Sequence, residues 1–168
     1  MSKNLIIGID AGTSVIKSVA FDLTGRQIAV ASVPNRYTTA EDGSATQPLD
    51  QTWNDCVRSL RQLAEAVPYL AHHVTAVAVT GQGDGTWLID KDHQPVGDAW
   101  LWLDARAGHT AEKLRQSSND EARFLRTGTG LNACQQGAQF VHMMQHQPEQ
   151  LDRSATAFHC KDWLYMNL

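Results

Sequence analysis

The segment Gly8-Ile9-Asp10-Ala11-Gly12-Thr13-Ser14 closes a β-branched run with a carboxylate, then turns through a glycine and two hydroxyls, with Lys17 close behind. A nucleoside triphosphate needs such parts. Gly12 lets backbone N–H groups approach phosphate oxygens, and Thr13 and Ser14 add donors. Asp10 offers Mg2+ a hard oxygen, directly or through water. Lys17 can neutralise phosphate charge if its strand projects it to that face. A P-loop is excluded, because GxxxxGK[ST] opens a helix and the residues after Ser14 are strand formers. The dinucleotide fingerprint is excluded too, since Gly81-Gln82-Gly83-Asp84-Gly85 lacks its spacing and runs into a strand. Taken alone, the Asp10 turn is equally consistent with a hairpin whose glycine and threonine serve only the backbone.

Other constellations weigh less. His142 and His146 lie four apart on an expected helix, but no acidic residue completes an HExxH pattern, which favours packing over metal binding. Cys160 beside His159 is a poor nucleophile–base pair, because adjacent residues rarely point at one another. Trp53 and Trp163 fall on amphipathic faces and belong to the core; among the tryptophans only Trp102 keeps a candidate site role. Asp84 before Gly85 is also an ordinary turn pair, and Asp104 is also an ordinary N-cap.

These residues need a scaffold. Leu5 to Ile9, Val15 to Phe21 and Gln27 to Val33 read as strands joined by two close turns, an antiparallel meander. Residues 34–48 have no sustained period and read as a loop. Asp50 is the expected N-cap of a helix whose Trp53, Cys56, Val57, Leu60, Leu63, Ala64 and Val67 recur at helical steps until Pro68. Val74 to Val79 reads as a buried strand and Thr86 to Asp90 as another. Helices are expected after Asp104, after Asn119, from Gln136 to His146, from Pro148 and over Lys161 to Leu168. The alternation argues for an α/β layered domain, with no linker or repeat dividing it.

Length and composition agree: 168 residues, 42% hydrophobic and 19% charged, suit one globular domain with a real core. The net charge of −4 supplies no basic field for nucleic acid or anionic lipid, so neither is an expected partner. Three widely spaced cysteines read as reduced thiols, and the short apolar run after Met1-Ser2-Lys3-Asn4 is too short for a leader or a membrane span. Both point to the cytoplasm.

Four motifs in order carry a resemblance: Gly8 to Ser14 with Phe21-Asp22-Leu23-Thr24-Gly25; Val79 to Gly85; Trp100-Leu101-Trp102-Leu103-Asp104-Ala105-Arg106; and Thr129-Gly130-Leu131 with the terminal Lys161-Asp162-Trp163-Leu164. Together they resemble the FGGY carbohydrate kinases over nearly the whole chain. Within that family, Thr80 to Trp87 and Trp100 to Arg106 are most similar to members that phosphorylate the four-carbon polyol erythritol.

The resemblance implies an actin-like (ribonuclease H-like) ATPase domain, a mixed sheet flanked by helices, of which residues 1–168 would be an incomplete amino-terminal part. ATP and Mg2+ are the implied cofactors, with Asp10, Gly12, Thr13, Ser14 and Lys17 at the phosphates and Asp10 at the metal. A small polyol or sugar is the implied partner, held by Gln82, Asp84, Trp102, Asp104 and Arg106, with Gln135 and Gln136 as further candidates. Glycerol kinases present Gln-Arg-Glu where this chain has Gln82, Gly83 and Asp84, which argues against glycerol itself. A homodimer is the assembly the resemblance allows. The family's catalytic base would lie beyond Leu168, so these residues alone are expected to be inactive. A pentulose kinase, such as one for L-xylulose, is the alternative within the class; an actin-like nucleotide-binding module without catalysis, or a truncated remnant, is the alternative outside it.

Overall fold

A computed structural model describes residues 4–168; Met1 to Lys3, part of the polar lead-in read above, lie outside them. The chain forms two compact units, the first from residues up to Tyr37, Pro48–Gly83 and Cys160–Leu168, the second from Thr38–Gln47 and Asp84–His159.

In the first unit, β1 (Leu5–Ala11), β2 (Val15–Asp22) and β3 (Gln27–Pro34) form the expected antiparallel meander. Their turns follow from side chains: Asp22 accepts from the Thr24 and Arg26 N–H groups, and Gly25 supplies a left-handed φ of 84°. Helix α1 (Leu49–Ala66) packs on β2 and β3. Its cap differs from the expectation. Pro48 is the N-cap and no side chain bonds there, while Asp50 lies in the first turn, favourable to the helix dipole. The buried stripe is also more polar than the apolar periodicity suggests. Thr52, Asp55 and Ser59 are buried with Cys56 and Leu63, whereas Trp53, Val57 and Leu60 are half-buried. Hydrogen bonds make this tolerable: Ser59 and Ser18 share one at 2.6 Å, and Asp55 pairs with Arg58 at 2.7 Å.

Strand β6 (Val74–Gly81) runs parallel to β1, completing the order β3-β2-β1-β6. The expected burial of this strand is corrected: as the sheet edge it is largely exposed, Val77 by 42%. Helix α6 (Cys160–Asn167) packs on β6 and α1 and is anchored by the Trp163 indole N–H donating to the Leu49 carbonyl at 2.9 Å.

The second unit overturns the single-loop reading of residues 34–48. Within them β4 (Thr38–Thr39) and β5 (Ala45–Gln47) pair, and with β7 (Gly85–Ile89), β8 (Ala99–Leu101) and β9 (Thr156–Phe158) they form a sheet ordered β4-β5-β8-β7-β9. Helices α2 (Gly108–Arg115), α3 (Asp120–Thr127), α4 (Gln136–His146) and α5 (Pro148–Asp152) begin near where they were expected. Leu88, Val96, Trp100 and Met143 form one core cluster; Ala107, Ala111, Leu131 and Ala138 form another. Trp87 is wholly buried. Among the described residues no helix is long and apolar enough to cross a membrane.

Candidate functional site

The Asp10 turn is built by backbone. In the β1–β2 ladder Asp10 stands opposite Lys17, and in the β1–β6 ladder opposite Thr80. Directly opposed residues share a sheet face, so one exposed patch carries a carboxylate, an ammonium and a hydroxyl. Lys17 thus projects on the same face as Asp10. Gly12 and Thr13 are half-buried and Ser14 is exposed. A Cβ on Gly12 would lie 3.0 Å from the Val15 carbonyl oxygen, tight enough to force a shift.

Two residues that the sequence reading gave no part in this turn pack against it. Asn35, only 2% exposed, donates its side-chain N–H to the Gly12 carbonyl at 2.8 Å and its backbone N–H to the Ser14 carbonyl at 2.9 Å. Cys160 lies beneath it: a Cβ on Gly81 would meet Ala11 at 3.0 Å and the Cys160 sulfur at 3.5 Å. Burial, partly opposed by Gln82, pushes the Cys160 thiol up to about 12, which leaves it a packing group rather than a nucleophile. Gln82 is buried at the end of β6. It donates its backbone N–H to the Ala11 carbonyl at 3.0 Å, and its side-chain oxygen accepts from the Thr13 hydroxyl at 3.4 Å. Gln82, within the glycine-rich turn Gly81 to Gly85, is therefore tied directly to the Asp10 turn.

In the second unit side chains do the positioning. Asp104 is fully buried. It accepts from the Ala45 N–H at 2.9 Å and is clasped by Arg106, whose Nε lies 3.0 and 3.1 Å from the two oxygens and whose Nη2 lies 2.6 Å from Oδ2. The Arg106 guanidinium carbon lies 3.4 Å from the centre of the Trp100 ring. Asp104 is not the cap of α2, whose N-cap is Ala107; it ties its own turn to β5 instead. Trp102 is 47% exposed, an aromatic surface consistent with a ligand contact.

The exposed Asp84 meets a neighbour that sequence reasoning passed over: the Cys134 thiol donates to its Oδ2 at 3.5 Å, and the Gly85 N–H donates to the Cys134 carbonyl at 3.0 Å. Burial, then the Asp84 charge, pushes the Cys134 thiol above its ordinary range, so it stays protonated at neutral pH. The adjacent amides are used locally. Gln135 accepts from the Asn132 N–H at 3.0 Å, and Gln136 donates to the Phe158 carbonyl at 3.0 Å. The His142 and His146 rings lie 4.3 Å apart at a 38° tilt, with Trp100 5.8 Å from His142 and the Thr110 hydroxyl 3.3 Å from its Nδ1. Among the described residues no three metal-type side chains cluster.

The model of the FGGY family of carbohydrate kinases, N-terminal domain, matches residues 5–168. The chain is 60% identical over 165 residues to an erythritol kinase of Brucella abortus, covering 98% of this chain and 32% of that protein. It is 25% identical over 161 residues to a probable L-xylulose kinase of Pasteurella multocida, covering 96% of this chain and 33% of that one. The crystal structure of a xylulose kinase from Rhodospirillum rubrum superposes with a TM-score of 0.92 at 25% identity, over 98% of this chain and 34% of that chain. The chain thus spans about a third of the length of these relatives. The expected actin-like α/β fold is met.

Proposed function

Because the chain belongs to the FGGY family of carbohydrate kinases, we propose that it supplies the phosphate-binding turn and much of the polyol-binding surface of an enzyme that transfers the γ-phosphoryl group of ATP to a small polyol, erythritol first. The observation that carries this substrate is the 60% identity to an erythritol kinase over 98% of the chain, against 25% to a probable L-xylulose kinase.

The residues fit their parts. The exposed Asp10 carboxylate is the donor Mg2+ prefers, one hard oxygen complemented by phosphates and water. When bound, the metal would neutralise charge that develops on the phosphates. Gly12 and Ser14 present backbone and hydroxyl donors to phosphate oxygens, Thr13 joins them on leaving Gln82, and Lys17 adds positive charge beside Asp10. Asp84 accepts hydrogen bonds from two hydroxyls, Gln82 contributes an amide, and Trp102 covers the carbon chain. Asp104 and Arg106 hold the segment that carries Trp102. Gln135 and Gln136 stiffen the segment that carries Cys134.

Because the chain spans about a third of the length of these relatives, the activity is one to be read on the full-length protein. We place the enzyme in the cytoplasm, where ATP and reduced thiols coexist.

ADP release by the full-length protein, measured across erythritol, other tetritols, glycerol and L-xylulose, tests the reading. Erythritol should give the highest kcat/KM. Preference for the pentulose would move the assignment to the other branch, and ADP release that no acceptor stimulates would leave only a nucleotide-binding module.

A further inference from the structure

We propose that Cys134 is a positioning residue for Asp84 and thereby helps set polyol affinity. This rests on the reading of Asp84 as a polyol ligand. The two residues lie 50 apart in sequence, and two bonds join their segments: the thiol to Asp84 Oδ2 at 3.5 Å, and the Gly85 N–H to the Cys134 carbonyl at 3.0 Å. The second bond matters because Gly85 is already held in the β7–β8 ladder opposite Leu101. Its φ is 106°, and a Cβ there would lie 2.4 Å from the Trp100 carbonyl oxygen. The backbone beneath Asp84 is therefore fixed, and the remaining freedom is the rotamer of an exposed carboxylate.

A thiol has one proton to give, and here it goes to one carboxylate oxygen. That favours the rotamer in which Oδ2 faces Cys134 and leaves both lone pairs of Oδ1 for the two substrate hydroxyls. Ordering the carboxylate before binding lowers the entropic cost of capturing a flexible polyol. Gln135 and Gln136 hold the segment: the Asn132 N–H donates to the Gln135 side-chain oxygen, the Ala138 and Gln139 N–H groups donate to the Gln135 carbonyl, and Gln136 donates to the Phe158 carbonyl.

The test is steady-state kinetics on the full-length protein with Cys134→Ala, Cys134→Ser, Asp84→Ala and the double variant Cys134→Ala/Asp84→Ala. Cys134→Ala should raise the polyol KM about three- to tenfold, the size expected for one weak charge-assisted hydrogen bond, with kcat and the ATP KM unchanged. Cys134→Ser keeps a donor and should restore most of the affinity. The double variant should be no worse than Asp84→Ala. Wild-type polyol KM in Cys134→Ala, a serine variant as impaired as the alanine one, or additive losses would each overturn the proposal. If Asp84→Ala itself leaves the polyol KM unchanged, the assignment of Asp84 fails first, and the positioning role fails with it.

Discussion

Around Asp10, position is set mainly by backbone: three strands in register, the Asn35 N–H on the Ser14 carbonyl with its side chain added on Gly12, and a Gly81 packed tightly against Ala11. Around Asp84 and Asp104 it is set by individual side chains: a buried carboxylate clasped by one arginine, an indole beneath that arginine, and a thiol against an exposed aspartate. A ladder spreads a disturbance over many equivalent bonds. A clasp concentrates it in one. The polyol side should therefore be the more fragile to single substitutions, and also the easier to retune.

Asp104→Ala should give the largest effect. It leaves Arg106 in a largely buried setting without its partner and costs about 3–5 kcal/mol, readable by urea denaturation of the full-length protein. A loss under 1 kcal/mol would mean that the clasp behaves like a surface pair, and the contrast drawn here would be gone.

The glycine-rich turn offers a matched pair. Gly85→Ala places a Cβ against the Trp100 carbonyl at an unfavourable φ and should cost about 2 kcal/mol or more. Gly83→Ala meets nothing within 4 Å and should stay within about 0.5 kcal/mol of wild type. Equal losses would show that the turn is not held where the structure has it.

Asn35→Ala probes the backbone-built side. Its Oδ1 is buried with no partner, so losing the bond to Gly12 is partly offset by removing that atom. Stability should fall by only about 1 kcal/mol, while the ATP KM rises and the polyol KM does not.

The smallest effect is one of pH. Burial first, then His146 and Arg106, hold the His142 imidazole below its ordinary 6.5. The unfolded chain therefore binds the proton more readily than the folded one, and the stabilisation is complete above about pH 6.5 and is lost as the pH falls below it. His142→Phe should flatten that part of a melting-temperature profile.

How much of this could be read from the sequence follows the same division. The meander and the Asp10 turn are local features, with strand formers separated by short turns, and they stand as expected. Helix α4 was expected from Gln136 to about His146 and spans those residues. Strands β5, β8 and β9 are three residues long and are tied into the sheet by remote pairings such as Thr46 with Trp100 and Trp87 with Phe158, while the two-residue β4 pairs with nearby β5 alone. No local pattern announces them. The edge position of β6 is likewise a fact of topology, since its valines and alanines would read the same in a buried strand. Asn35, Thr80 and Cys134 escaped notice for that reason: their partners lie 23, 70 and 50 residues away, and an asparagine after a proline or a cysteine before two glutamines has no signature of its own. The periodicity of α1 misjudged its face because Ser59 and Asp55 are buried by partners that periodicity cannot see.

The assignment rests on a division of labour, phosphate at Asp10 and polyol at Asp84, and one crossed pair of variants in the full-length protein tests it. Asp10→Asn should lower kcat about a hundredfold or more, in the range for losing a group that stabilises developing charge, with the polyol KM nearly unchanged. Asp84→Ala should raise the polyol KM about tenfold or more and leave the ATP KM alone. If both variants instead shift the same parameter to the same extent, or neither shifts any, the two regions do not play separate roles in a polyol kinase and the account is wrong.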